Sequence, residues 1–259
     1  MKIQSVFLAL AVLALGLSSC ENKKADPVPE TGSLSIEMEH VVGSSALKLN
    51  SSTTAFDYRT PSDEWFNVTT FRYYVSNIKL RRADGTEYAQ PNSYYLVDAA
   101  MPATKVLELK DVPAGDYTGL SFLVGVDAPR NTTGAQEGVL APGDMFWSWK
   151  SGYIFLKMEG YSPAAPGSKV LQFHIGGFED PNNALRTISP ALPSGVKLLV
   201  RPDHAPEIHM KADLMKLFVG PTTVKFGSFA IPHMPGANAM KIADNYAAGM
   251  FEIDHVHAN

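Results

Sequence analysis

The protein has 259 residues, a formal net charge of −4 at pH 7 and a single cysteine, Cys20. Because Lys and Arg form no cluster, the composition argues against nucleic-acid binding. One cysteine excludes an intramolecular disulfide framework and a site built from several thiolates.

The N-terminus has the features of a bacterial lipoprotein signal. A positively charged start, MKIQ, precedes an apolar run at residues 6–17, which is short for a membrane-spanning helix. The sequence Leu-Ser-Ser-Cys at residues 17–20 is typical of a lipobox, so we expect Cys20 to be lipidated. An ordinary secretory signal with an incidental cysteine is the alternative.

The lipobox divides the chain into three parts. We expect residues 1–19 to be the signal peptide and residues 20–32, which are polar and contain prolines, to be a lipidated flexible tether. Residues 33–259 are then a single domain. This organisation predicts a protein of the cell envelope, anchored by its lipid in the outer membrane and facing the periplasm or the surface.

Alternating apolar residues, separated by turn signals, predict an all-β domain. The predicted strands are residues 33–42, 68–81, 94–97, 116–127, 147–158, 170–176, 196–201 and 208–212. A long Gly- and Pro-containing loop occupies residues 128–144, and short helices are predicted at 212–218 and 238–248. We expect an antiparallel β-sandwich with long loops and minor short helices.

The sequence offers no recognisable catalytic motif. It has no Gly-x-Ser-x-Gly nucleophile turn, and its adjacent acids, Asp63-Glu64 and Glu179-Asp180, fall in predicted loops, where such pairs are usually solvated. We therefore expect a protein that is not an enzyme.

Several histidines are candidate metal ligands. His40, His174 and His209 lie in predicted strands with apolar neighbours, and each could instead be a core histidine with a backbone partner. His255 and His257 share one face of a predicted strand and could chelate an ion or belong to a solvated tail. Imidazoles without thiolates suit Cu, Zn, Ni or Fe, and Cu(II) is the most strongly bound.

Two tryptophans two residues apart, Trp147 and Trp149, stand out because the chain has only one other, Trp65. On residue type alone, two large aromatics on one strand face most simply cap a core. The indole N–H is a donor without a free lone pair, so an unmodified tryptophan is not an ordinary metal ligand.

An ordered series of motifs nevertheless resembles the MbnP-like family, the periplasmic or lipid-anchored copper-binding proteins first named from methanobactin operons. The series covers roughly residues 34–220 and consists of FRYYVSNIKL, DG, YYLVD, GDYTGLSFLVGVD, RNTTGAQEGVL, GDMFWSWKSGYIFLKMEG and FHIGG. The Met-Phe-Trp-Ser-Trp block followed by Phe-His-Ile-Gly is its most specific part.

This resemblance implies a copper site that depends on an oxidised tryptophan. In the family, a tryptophan of this block is converted to kynurenine by a partner di-haem enzyme of the MauG and cytochrome c peroxidase type. Either Trp147 or Trp149 would then be a ligand precursor, with Trp149 slightly preferred, and His174 matches the family's Phe-His-(Leu/Ile)-Gly histidine. The implied cargo is Cu(I) or Cu(II) without an organic cofactor, and an outer-membrane transporter is a second implied partner.

The sequence departs from the family in one ligand. Where relatives carry Asn-His before the tryptophan block, this chain has Asn131-Thr132. It is similar instead to a lipoprotein branch with a histidine in the first strand, so we expect His40 to replace the missing ligand. His209, His255 and His257 are secondary metal candidates, the last two at a separate C-terminal site.

A function of another class also fits the sequence. A β-sandwich lipoprotein without a metal could recognise a glycan or a protein partner through its aromatic loops.

Overall fold

The computed structural model of the protein describes residues 30–148 and 150–257. The predicted signal peptide, Cys20 and most of the predicted tether lie outside these residues, as does Trp149. Strands account for 44% of the residues and helices for 11%. This confirms the predicted all-β sandwich with minor short helices.

Sixteen strands are found in the described ranges. They are β1 (Thr31–Val42), β2 (Ser45–Ala46), β3 (Tyr58–Arg59), β4 (Trp65–Phe66), β5 (Thr70–Arg82), β6 (Glu87–Ala89), β7 (Tyr94–Asp98), β8 (Val106–Pro113), β9 (Gly115–Val124), β10 (Phe146–Ser148), β11 (Gly152–Tyr161), β12 (Val170–Gly176), β13 (Arg186–Ile188), β14 (Leu198–Val200), β15 (Glu207–Asp213) and β16 (Phe251–His257). The α-helices are α1 (Ala128–Thr132) and α2 (Ala237–Ala247), and 3-10 turns occupy Pro102–Thr104, Gly138–Leu140 and Leu214–Leu217.

The smaller sheet is built around β1. Strands β16 and β15 lie on one side of β1, while β8 and β2 pair with its other edge. β1 and β15 are parallel, with Ile36 opposite Ile208, whereas the remaining pairs of this sheet are antiparallel. A parallel pair needs a long crossover, which the intervening larger sheet supplies, so β1 and β15 are the one parallel pair among the strands named above.

The larger sheet is built around the long strand β5. Strands β11 and β9 pair with successive parts of β5, and β7 and β6 pair with it as well. β12 and β10 extend the sheet from β11, and β13 and β14 extend it from β9.

Aromatic and aliphatic side chains fill the space between the two sheets. Leu34, Ile36 and Met38 of β1 are at most 2% exposed, which confirms the predicted inward row. Phe251 of β16 crosses to the other sheet and makes an edge-to-face contact with Tyr73, at 5.6 Å between ring centroids. Burying one such ring contributes about 2 kcal/mol to the free energy of folding. Every second residue of a strand faces the core and can make a similar contribution.

The predicted loop at 128–144 is an ordered layer over the outer face of the larger sheet. The Tyr74 hydroxyl donates to the Val139 carbonyl at 3.0 Å, and the Tyr153 hydroxyl donates to the Leu140 carbonyl at 2.5 Å. Buried Asn131 donates to the Val126 carbonyl at 2.7 Å and accepts from the Tyr153 N–H at 3.0 Å. These bonds hold the loop against the strands that precede and follow it.

Two predicted elements differ from those observed. The strand predicted at 147–158 is broken into β10 and β11, because the chain reverses between them and Gly152 adopts a φ of +75° that disfavours other residues. The helix predicted at 212–218 is a 3-10 turn at Leu214–Leu217 that directly follows β15. The last predicted helix is found within one residue of its predicted bounds, as α2.

Within the described part of the chain, no helix is both long and apolar enough to cross a membrane.

Candidate metal centre

His174 lies on the outer face of the larger sheet. In the antiparallel ladder its Cα is opposite Lys157 of β11, which is in turn opposite Arg72 of β5. Directly opposed residues point to the same face, so these three side chains lie together. The neighbouring row, Phe173, Met158 and Phe71, points inward to the core.

A carboxylate orients the His174 ring. Its Nε2 is 2.7 Å from Oε1 of Glu159, on the adjacent strand. Burial lowers the pKa of His174; the hydrogen bond to Glu159 opposes this shift, and the charges of Lys157 and His233 add to it. A neutral ring that donates from Nε2 to Glu159 has its lone pair on Nδ1, so this arrangement presents one metal-binding nitrogen.

Charged side chains of both signs lie in the same row of the sheet as His174. Arg72 lies 2.8 Å from Asp98 and 2.5 Å from Asp144, measured between guanidinium nitrogen and carboxylate oxygen. The Lys157 ammonium donates to the Asp144 carbonyl at 2.6 Å. Next to His174 itself, the charged side chains are Lys157 and Glu159, one of each sign.

The Trp147 ring lies against Gly176, on the strand that carries His174. A Cβ atom added to Gly176 would be 2.7 Å from Cζ3 of Trp147 and 2.5 Å from the carbonyl oxygen of Tyr153. Gly176 is two residues after His174 on the same strand, so both positions face the same side. The half-buried indole therefore lies over the strand position two residues beyond the histidine, whereas Trp149 lies outside the described residues.

A segment after residue 229 brings a second imidazole to the site. The N–H groups of Gln172 and His174 donate to the carbonyls of Ala230 and Pro232, both at 2.9 Å. Because donor and acceptor each advance by two residues, the segment runs parallel to β12 and places His233 beside His174. His233 is exposed, and its Nδ1 is 3.0 Å from the Ile231 carbonyl, which leaves Nε2 with the lone pair.

Sequence reasoning did not select His233 or Glu159. His233 stands in an irregular Pro-flanked stretch, Ile-Pro-His-Met-Pro, without strand or helix periodicity. Next to it, Met234 is 49% exposed and lines an open cleft of about 260 Å³ together with Lys150 and Ser151, the residues that follow Trp149. Glu159 carries no signal beyond being an acid in a strand.

His40 lies on the opposite side of the larger sheet from His174. It points inward from β1, 6% exposed, with Nε2 3.0 Å from the Tyr73 hydroxyl and its ring edge-on to Phe71. Burial, with a smaller contribution from Lys105, lowers the pKa of His40 to about 4. Since Tyr73 and Phe71 face inward and Arg72 faces outward, the structure does not bring His40 to His174.

The secondary candidates lie together elsewhere. His209 of β15 and His255 and His257 of β16 share the outer face of the smaller sheet, each with a ligand nitrogen within 4.8 Å of the others. Asn131, at the position of the family's Asn-His pair, is buried and bonded to backbone, while Thr132 is exposed.

Comparison with known proteins agrees with this fold. The sequence model of the MbnP family matches residues 31–237. Among solved structures, MbnP from Methylosinus trichosporium superposes with a TM-score of 0.53 at 17% sequence identity, over 82% of this chain and 87% of that one. At this identity the structural match shows the fold alone, and no curated protein matches the sequence. Because the family match covers most of the chain, the protein belongs to the MbnP family.

Proposed function

We propose that the protein binds one copper ion on the outer face of the larger sheet, for uptake, storage or delivery. The ligands are His174 and one tryptophan of the Trp147/Trp149 pair after oxidation to kynurenine. The observation that carries the proposal is the contact of the Trp147 ring with Gly176, two residues from His174 on one face. His40 is not part of this site, because it faces the core.

The chemistry of the donors explains why oxidation is needed. Indole offers a metal only a hydrogen-bond donor, but cleavage of its C2–C3 bond creates a carbonyl on the side chain. Two equivalents of peroxide supply the two oxygen atoms and accept the four electrons, and hydrolysis of the N-formyl group then releases formate. The resulting aryl amine and carbonyl both carry lone pairs. Trp147 is half-buried, which leaves part of the residue exposed to a partner oxidant.

His233 is the second imidazole that this geometry supports. Its Nε2 lone pair and the Nδ1 lone pair of His174 come from neighbouring segments joined by backbone hydrogen bonds. Imidazole nitrogens bind copper in either oxidation state. Met234, which follows His233 and is exposed, is a soft thioether of the kind that Cu(I) prefers.

The proposed cellular setting combines a lipid anchor with two protein partners. We propose a non-enzymatic lipoprotein of the cell envelope, attached to the outer membrane through Cys20. A di-haem peroxidase-like enzyme matures it, and an outer-membrane transporter exchanges the metal with it. The lipid keeps the protein near that transporter, and half-buried Trp147 and exposed His233 leave part of the site accessible to both partners.

Peptide mapping by mass spectrometry tests the tryptophan. Protein purified from its own bacterium is cut with trypsin, which releases residues 131–150 with both tryptophans. Kynurenine formation removes one carbon and adds one oxygen, and fragmentation assigns the change to Trp147 or Trp149. Two intact tryptophans, in cells whose di-haem enzyme is active, would contradict the proposal and favour recognition of a glycan or protein by the aromatic loops.

Copper stoichiometry tests the histidine. We expect His174→Ala, expressed in the native host, to lose the bound copper, whereas His204→Ala, in a turn beside β14, retains it. Copper content is measured by elemental analysis against protein concentration. Equal copper in the wild type and His174→Ala would remove His174 from the site.

A further inference from the structure

We propose that His209, His255 and His257 form a second metal site, which takes a divalent transition-metal ion such as Zn²⁺. The site lies on the outer face of the smaller sheet. Three imidazoles with an open fourth position are a known protein environment for zinc.

Strand pairing assembles the three rings. His209 is opposite His255, and the pair two positions along the ladder, Glu207 with His257, is on the same face. The ring centroids of His209 and His255 are 4.4 Å apart and nearly parallel, and the His257 ring stands edge-on to both, at 4.7 Å and 4.5 Å. One ligand atom of each lies within 4.8 Å of the others, so small side-chain rotations suffice to converge on an ion.

One of the rings is hydrogen-bonded to a carboxylate, and a second ring lies near another carboxylate. Asp254 is 2.6 Å from Nδ1 of His255, and Glu37 is 3.5 Å from Nδ1 of His209. A histidine that donates from Nδ1 to a carboxylate presents Nε2 as the ligand, which is the usual arrangement behind metal-binding histidines. Asp254 is itself held by an ion pair with Lys211.

The Nε2 atoms are the ones with unmet bonding capacity. Nε2 of His209 is buried and has no hydrogen-bond partner in the described residues. Nε2 of His255 is 2.9 Å from Nε2 of His257, so one of the two carries the proton that joins them. A divalent ion would replace that proton and satisfy all three nitrogens.

The charges around the cluster favour a cation. Glu37 and Glu207 also lie with a ligand oxygen within 4.8 Å of a His209 nitrogen. Three carboxylates, counting Asp254, therefore adjoin the rings, against the single ammonium of Lys211. Neutral imidazoles supply no charge, so these carboxylates would offset the two positive charges of the ion.

This site is separate from the proposed copper site. The two lie on the outward faces of different sheets, with the core between them. Two of the three ligands, on β16, are also outside the region matched by the MbnP family, which ends at residue 237.

Zinc titration of the chelator-treated, full-length protein tests the proposal. In competition with a chromophoric zinc indicator, we expect the wild type to withdraw one equivalent of Zn²⁺. The double variant His255→Ala/His257→Ala should lose that equivalent, whereas Glu252→Ala, an exposed position on the same strand, should keep it. Zinc binding that is unchanged in the double variant, or absent from the wild type, would overturn the proposal.

A positioning variant separates ligation from mere folding. Asp254→Asn keeps the size of the side chain but weakens the acceptor for His255, and we expect about 10- to 100-fold weaker zinc binding. Co²⁺ in place of zinc should give the intense visible bands of a four-coordinate ion in the wild type. The double variant should lack these bands while keeping the circular dichroism and unfolding temperature of the wild type in chelator. That result would show that His255 and His257 are ligands. Identical Co²⁺ spectra for the wild type and the double variant would show that they are not.

Discussion

At the scale of single residues, the geometry of the candidate site depends on how closely the Trp147 ring approaches Gly176. Gly176 has ordinary strand geometry, so glycine is not needed there for its backbone conformation. It is needed because a Cβ atom would collide with the Trp147 ring and the Tyr153 carbonyl. His174 owes its orientation to one carboxylate, Glu159. His40, also in a strand, has the same residue type but an aromatic environment, and its side chain is part of the core.

Gly176→Ala tests the close approach. We expect a loss of about 1–3 kcal/mol in the free energy of unfolding, because the new methyl group would meet Trp147 and a backbone carbonyl that has little room to move. Urea denaturation measures this loss. Gly227→Ala is the matched control, since its Cβ would come no closer than 3.6 Å to a neighbour. Equal stabilities for both variants would contradict the packing.

His40 predicts a pH-dependent stability. Its pKa of about 4 in the folded protein is below the ordinary 6.5, so the unfolded chain takes up the proton first as the pH falls. The free energy of unfolding should therefore be fully retained above pH 6.5 and fall toward pH 4, by up to about 3 kcal/mol. His174, whose pKa is also lowered, acts in the same direction.

The measurement for His40 compares urea denaturation of the wild type and His40→Gln at several values of pH between 7 and 4. The variant, which has no titrating group at this position, should show a shallower decline. Parallel curves for His40→Gln and the wild type would contradict the assignment.

At the scale of elements, the loop at 128–144 covers the outer face of the larger sheet and leads into β10. The hydroxyl groups of Tyr74 and Tyr153 donate to the loop's backbone carbonyls. Because β10 carries Trp147, whose ring lies against Gly176 of β12, the order of the loop controls the geometry of the proposed copper site.

Asn131→Ala tests this layer. The change leaves the buried Tyr153 N–H and the Val126 carbonyl without their side-chain partner, so we expect a loss of about 2 kcal/mol in the free energy of unfolding. Hydrogen exchange at the Tyr153 amide should accelerate at the same time. Thr132→Ala, next to it and exposed, should change neither property. Unchanged exchange in Asn131→Ala would show that the amide does not hold the loop.

At the scale of the whole molecule, the sandwich separates two clusters of potential ligands. The parallel pairing of β1 with β15 brings Glu37 beside His209 on one outer face. The pairing of β11 with β12 brings Glu159 to His174 on the other. Since the buried core lies between, the two sites share no side chain.

This separation predicts independent metal binding. Sites without shared partners usually have additive effects, to within about 0.5 kcal/mol. His174→Ala should therefore leave the zinc affinity unchanged, and His255→Ala/His257→Ala should leave the copper content unchanged. Zinc titration and elemental analysis of both variants and of the combined variant measure this. A copper content that falls with the C-terminal pair would show one shared site.

The sequence by itself determined the β-class and most strand positions, because alternation and turn residues are local properties of the chain. The resemblance of its ordered motifs indicated the family. It also pointed to Trp147 and His174 through their motifs. Only the tertiary structure decided which ligands meet. His40 and His174 are both strand histidines, and the register of β5, β11 and β12 is what places them on opposite faces of a sheet. In the same way, His209 joins His255 and His257 through strand pairing between distant segments, and His233 reaches His174 from an irregular segment that no periodicity marks.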